Sequence, residues 1–162
     1  MIKKFMKKIR IVYVPTEQAN LLIKLVLKLN TKKSILSKCF KLLVRNNLQK
    51  KYNIIIGDKC DIGVNVYFPH PQNIVIGEYV KIGNNCILYQ DITIGQNKGE
   101  YPILGNNIIV YPGAKIFGDI RIGDNSVIGA NSVVNKNFEN NTVIGGNPGR
   151  MIGEVDFENK YY

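Results

Sequence analysis

The chain has 162 residues, enough for one domain with a buried core and too few for a second catalytic domain beside it. Its formal net charge of +10 is unevenly spread: residues 1–52 hold fourteen Lys or Arg against Glu17 alone, while residues 53–162 hold eight bases against eleven acids, net −3. Basicity belongs to a leading segment, which argues against nucleic-acid binding by the larger part.

The leading segment reads as helical. Leu21-Leu22-Ile23 and Leu25-Val26-Leu27 are interrupted by Lys24 and Lys28, well short of the roughly 20 apolar residues that cross a bilayer, so no transmembrane helix is expected. Met1 to Arg10 lacks the apolar stretch of about 7 to 15 residues and the small-residue cleavage site of a secretory signal, which makes the cytoplasm the expected compartment. After Pro15 and Thr16, apolar residues at 21, 22, 25, 26 and 29 follow a helical period until Asn30. Thr31 is placed to cap a second helix. Its apolar stripe is Ile35, Leu36, Cys39, Phe40 and Leu43, and its other face carries Lys32, Lys33, Lys38, Lys41 and Arg45. Such helices either pack together on the end of the following region, with solvated lysines, or rest their basic faces on an anionic membrane surface or polyanionic partner.

From Ile54 the period changes to six. Aliphatic residues recur at Ile56 and Ile62, then at Ile76, Ile82, Leu88 and Ile94, then at Leu104, Val110, Ile116, Ile122, Ile128 and Val134. A second apolar or small residue stands four positions after most of them, from Cys60 and Val66 to Ser126 and Ser132. A helix of 3.6 residues per turn cannot hold this period on one face; short strands joined by tight turns can, each hexapeptide making one side of a triangular coil. Glycines after the aliphatic residue, such as Gly57, Gly83 and Gly105, suit turns that a side chain would crowd or that need positive φ. Coils stacked at about 4.8 Å bury one continuous aliphatic column.

The predicted organisation is a basic helical extension over 1–52, a mainly β domain of hexapeptide repeats wound into a parallel β-helix over 53–152, and a tail over 153–162. Cys39, Cys60 and Cys86 have no metal-ligand spacing. The two in the repeats occupy inward positions on different sides of successive coils, so they read as reduced core residues, and no metal site is expected.

The register breaks twice. Between Phe68 and Ile76 the spacing is eight, and Phe68-Pro69-His70-Pro71-Gln72-Asn73 holds the chain's one histidine. Between Ile94 and Leu104 it is ten, so the segment from Gly95 to Pro102, with Glu100 and Tyr101, must leave the coil as a loop. Insertions in repeat proteins mark the working face, and coil counting puts these two within one or two layers of each other, about 5 to 10 Å along the axis. An imidazole there suits general-base help to a hydroxyl, typically worth about 10² to 10⁴ in rate.

On these residues the chain resembles serine O-acetyltransferases and, in size, the smaller serine-acetyltransferase-like enzymes of bacterial surface-polysaccharide synthesis. The segments that carry the resemblance are F-P-H-P-Q-N-I-V-I-G-E from Phe68, Y-P-G-A-K-I-F-G-D-I from Tyr111, I-G-A-N-S-V-V from Ile128 and G-G-N-P-G-R-M-I-G from Gly145, within about 53 to 152. The resemblance implies a left-handed coil, against the usual hand of parallel crossovers. It further implies a homotrimer with sites between neighbouring coils, His70 as base, and acetyl-CoA lying against Gly95, Pro112 and Ala130, with Arg150 available for phosphate.

Three positions depart from that family. Pro69 stands where the serine enzymes carry an Asp that helps hold the amino acid. Glu100 and Tyr101 stand where they carry an Arg-His pair that meets the substrate carboxylate. Ile55, fifteen positions before His70, stands where they carry the Asp that orients the imidazole. These losses lead to the expectation of an O-acetyltransferase acting on a sugar or surface-polysaccharide precursor, with Tyr101, Glu100 and Asn73 as acceptor contacts. A lipid-linked glycan would give residues 1–52 a peripheral membrane role at the inner face. The competing expectations are a serine O-acetyltransferase and a non-catalytic trimeric scaffold.

Overall fold

The computed structural model describes residues 15–30 and 34–155. Two helices, α1 (Pro15–Asn30) and α2 (Ile35–Tyr52), lead into fourteen short strands that stack in three sheets. The first sheet is β1 (Ile54–Ile56), β3 (Ile74–Ile76), β6 (Thr93–Gly95), β9 (Lys115–Phe117) and β12 (Val133–Val134). The second is β2 (Asp61–Ile62), β4 (Lys81–Ile82), β7 (Ile103–Leu104) and β10 (Arg121–Ile122), continued by a bridge from Ile122 to Phe138. The third is β5 (Ile87–Leu88), β8 (Ile109–Val110), β11 (Val127–Ile128), β13 (Thr142–Gly145) and β14 (Arg150–Glu154), preceded by a bridge from Tyr67 to Ile87.

Each strand pairs in parallel with its equivalent one turn later: Ile56 with Ile76, Ile76 with Ile94, Ile94 with Ile116, and Ile116 with Val134. The chain is therefore a triangular β-helix. Every aliphatic residue of this column is buried, as are the inward Val80, Cys86, Ile92, Ile108 and Ala114, and each full burial of a Val, Leu or Ile side chain stabilises by about 1.5 to 3 kcal/mol. The top is closed by reversal: β14 runs antiparallel to β13, and the Gly149 N–H donates to Val133 O at 2.7 Å.

The two demands expected of glycine fall on different residues. At Gly83 the need is space, since a Cβ there would lie 2.5 Å from the Gly105 carbonyl oxygen. At the turns from the second sheet to the third, left-handed backbone falls instead on asparagine: Asn65, Asn85, Asn107, Asn125 and Asn141 all have positive φ. Their side chains form a ladder, each Nδ2 donating to the next Oδ1, from Asn65 to Asn85 (3.1 Å) through Asn107 to Asn125 (2.8 Å) and on to Asn141 (3.1 Å). Asparagine tolerates this conformation because its short amide bonds locally. In a parallel stack the amide also bonds its own equivalent.

The helices close the bottom. Ala19, Ile23 and Val26 of α1 and Val44, Leu48 and Tyr52 of α2 join the core of the first coil. These inner faces differ from the expected ones. Leu21, expected inward, is exposed, and the whole predicted stripe of α2 points outward, with Ile35 and Leu36 each 81% exposed and Leu43 66%. The reason is rotation and overhang. The C-terminal half of α2 is held against the coil, partly because Lys41 (3.1 Å) and Arg45, expected on the solvated face, both pair with Asp58, and the N-terminal half extends past it. Burial alone would raise the Asp58 carboxyl, but the hydrogen bond from Lys41 and the charge of Arg45 hold it below its ordinary value. Ser34 caps α2; Thr31, Lys32 and Lys33 lie outside the described residues. Neither described helix is long and apolar enough to cross a membrane.

Two outcomes test this account. Asn107→Ala should cost about 1 to 2 kcal/mol more in urea unfolding than Asn107→Gly, because both lose the ladder bonds but only alanine meets the left-handed penalty. The three cysteines are free thiols, and burial pushes Cys60 up to about 11 and raises Cys86 as well, whereas Cys39 is exposed. A thiol reagent at pH 7.5 should titrate one cysteine quickly and two only after denaturation. These raised values stabilise the fold below the ordinary thiol value near 9, and that contribution is lost as pH climbs from there toward 11.

Candidate active site

The turns from the third sheet back to the first form one edge of the prism. His70 lies on its lowest turn, which Gln72 N–H closes by donating to His70 O at 2.8 Å. Backbone bonds tie the turns upward in order: Asp91 N–H to Gln72 O (3.1 Å), Gly113 N–H to Gln90 O (3.1 Å) and Asn131 N–H to Pro112 O (2.9 Å). His70, Pro112 and Ala130 therefore share this edge, with three steps of about 4.8 Å from the His70 turn to that of Ala130. Arg150 stands exposed beyond it, on β14, two strands past β11 and paired with Gly145 of β13.

Aromatic rings line the lower half. The imidazole of His70 is 6.1 Å from the Tyr89 ring, which stacks on Tyr111 at 5.4 Å and 9°. Above them the edge narrows to Gly129, Ala130, Gly145 and Gly146. Gln90, between the two tyrosines in sequence, buries its Oε1 with no partner among the described residues. An orphaned buried acceptor costs about 1 to 3 kcal/mol, which a donor brought by a ligand would recover. Tyr89, Tyr111 and Gln90 are not among the site residues expected from the sequence. A signal was present: both tyrosines stand after the aliphatic residue, where most repeats have glycine.

Asn73 is also on this edge, but its side chain is engaged. Its Oδ1 accepts from Asn53 (2.9 Å) and its Nδ2 donates to Asp91 (2.8 Å), a second short ladder.

Gly95, Glu100 and Tyr101 are elsewhere. The ten-residue spacing leaves from the edge between the first and second sheets, so within one chain it does not approach His70. Coil counting measures height along the axis and says nothing of azimuth: the histidine insertion follows the third side of a coil, the loop follows the first. The loop is a tight hairpin in which Asn97 and Glu100 exchange backbone bonds (3.0 and 3.1 Å) around Lys98 and Gly99, both at positive φ. Glu100 is exposed at its side. Tyr101 turns back, half-buried, with its ring edge-on to Tyr79 at 5.3 Å. Among the described residues no group of three His, Cys, Asp or Glu side chains could hold a metal ion.

Residues 53–90 match the family described as hexapeptide repeat of succinyl-transferase, and residues 101–136 match bacterial transferase hexapeptide (six repeats). A serine acetyltransferase of Brucella abortus superposes with a TM-score of 0.78 at 25% identity, covering 88% of this chain and 59% of that one. The chain has the hexapeptide-repeat fold of that enzyme. Its coil is accordingly the left-handed parallel β-helix, preceded by a helical extension. The structure of a serine acetyltransferase in complex with CoA superposes with a TM-score of 0.73 at 27% identity over 81% of this chain and 55% of that one. In sequence, the serine acetyltransferase of Synechococcus elongatus is 39% identical over 95 residues, 56% of this chain and 39% of that protein. That of Buchnera aphidicola is 30% identical over 138 residues, 82% and 48% respectively. The chain thus spans less than half the length of these two curated relatives.

Proposed function

We propose that the chain is an acyl-CoA-dependent O-acetyltransferase in which His70 is the general base. The observation that carries this is the single edge on which an exposed imidazole, a pair of stacked tyrosines, a run of small residues and Arg150 follow one another. That edge offers about 19 Å over the four steps from the His70 turn to the Gly146 turn, enough for an extended thiol arm, with the Arg150 guanidinium on the strand beyond to meet phosphate. The donor supplies an acetyl group already activated as a thioester. His70 takes the proton of the acceptor hydroxyl while that oxygen bonds to the thioester carbonyl carbon, and returns it to the sulfur as the carbon–sulfur bond breaks. In a homotrimer a neighbouring copy would bring the Gly95 edge and Glu100 toward His70, which one chain leaves open to water.

For the acceptor, the relatives named serine acetyltransferases support serine, and that is the first reading. A neutral sugar hydroxyl is the second, favoured by the exposed Glu100 carboxylate and by Pro69 in place of an acid. A coenzyme A release assay against serine and a panel of sugars separates them. Turnover with either should fall at least about 100-fold in His70→Ala. Undiminished release in that variant removes His70 from the chemistry, and release with sugars but not with serine selects the second reading.

The outward stripe of α2 supports a further contact, with an anionic lipid surface. Ile35, Leu36, Phe40 and Leu43 are exposed on a helix that contains no acid, so two copies meeting face to face would oppose like charges. Anionic headgroups have the complementary sign. With phosphatidylserine vesicles at low salt the protein should co-sediment, and the double variant Leu36→Glu/Leu43→Glu should not; equal pelleting of the two rules this contact out.

A further inference from the structure

We propose that the N-terminal helices form a clamp that positions the His70 imidazole, with Asn20 as the positioning residue, an inference resting on the reading of His70 as base. The third sheet begins at the bridge of Tyr67, whose N–H and C=O face upward: Tyr67 N–H donates to Cys86 O (2.9 Å) and Leu88 N–H donates to Tyr67 O (3.0 Å). Phe68, next in the strand, must face downward, where no coil lies. Asn20 of α1 fills that place. Its Nδ2 donates to Phe68 O at 2.8 Å and its Oδ1 accepts from Phe68 N–H at 3.3 Å, the donor and acceptor a neighbouring strand would offer. The same Nδ2 donates to Thr16 O at 2.9 Å, which fixes the amide on its helix.

The other end of the turn is held by α2, where Asn73 N–H donates to Tyr52 O at 3.0 Å. Residues 69–72 are thus held from below by one anchor on each helix and from above by Asp91 N–H on the Gln72 carbonyl (3.1 Å), and His70 stands two residues from the Asn20 anchor. Among the described residues the imidazole has no hydrogen-bond partner of its own, and Ile55 offers none. Apart from the Tyr89 ring beside it, its position is therefore set through the backbone, and on the His70 side of the turn that backbone is anchored by the extension. A misplacement of about 1 Å at a reacting group costs up to about 100-fold in rate.

The test uses the full chain and three substitutions. His70→Ala should abolish coenzyme A release. Asn20→Ala should lower kcat about 10- to 100-fold with KM for acetyl-CoA within about twofold, since the upper edge is untouched. Asn20→Asp keeps the side-chain volume and the acceptor but turns an oxygen toward Phe68 O, and should lower kcat likewise. Asn125→Ala, in the ladder on another edge, serves as the control of comparable stability loss and should keep its kcat. Because the chain has one histidine, its imidazole ring gives a single carbon-bound proton line per position in NMR, readable without turnover. That line should shift or broaden in both Asn20 variants and not in Asn125→Ala. Unchanged kcat and an unchanged histidine line in the Asn20 variants, with His70→Ala inactive, overturn the clamp alone; full turnover in His70→Ala overturns the base reading instead.

Discussion

A parallel coil has no partner for its backbone except the coil above and the coil below, at the fixed spacing between strands, and everything else in this protein answers to that constraint. A residue that suits one rung must suit the same angular position in all of them, which is why one aliphatic column and one asparagine column run the height of the domain. The asparagine ladder shows how sharply the condition selects. The turn needs a residue that accepts left-handed backbone, and stacking then places five identical amides within bonding distance, so conformational tolerance and hydrogen bonding favour the same choice. Serine and threonine at Ser126 and Thr142 follow the same logic inside the coil, with Thr142 N–H donating to Ser126 Oγ at 3.3 Å.

The constraint also explains what the sequence made legible. A period of six residues is one-dimensional information about which residues share a column, and Ile76, Ile94 and Ile116 could be assigned to one from spacing alone. The closing strand at 150–154 reverses direction, so no repeat announces it. The inner face of α2 is hidden from the sequence for a related reason. Amphipathic spacing says that Ile35, Leu36, Phe40 and Leu43 share a side of the helix, but not what covers that side. Asp58, fixed in the first coil, pulls Lys41 and Arg45 inward and leaves the more apolar side in solvent. The site was legible in its histidine and its interruptions and illegible in their relative placement, because spacing along the chain yields height on the prism and leaves the edge unstated.

A coil of stacked rungs has two open ends, and this chain closes them by opposite means. At the top, the turn from Gly146 to Gly149 lets β14 come back beside β13, so the last rung is paired by a strand running the other way. At the bottom, helices lie across the first rung, and a helix has few free backbone groups to offer a strand. The pairing must come from a side chain with one donor and one acceptor, or from a helix end where carbonyls are unpaired. Asn20 is the first device and the Tyr52 carbonyl, in the last turn of α2, is the second.

That asymmetry accounts for where the histidine insertion is tolerated. Two extra residues within the stack would have to bulge past turns bonded both above and below, as Gln90 and Pro112 are tied through Gly113 and Asn131. The His70 turn has a coil on one side only; below it are helices, whose surfaces can shift by a side chain without breaking a ladder. The other insertion solves the same problem at mid-height by leaving the coil altogether. Its hairpin departs after Gly95 and returns at Ile103 with Ile94 still opposite Ile116 and Leu104 still opposite Ile82, so the columns on either side are undisturbed. Both excursions therefore sit where they disrupt the fewest inter-rung bonds, and the rigidity of the remaining turns is what lets two irregular segments keep defined positions.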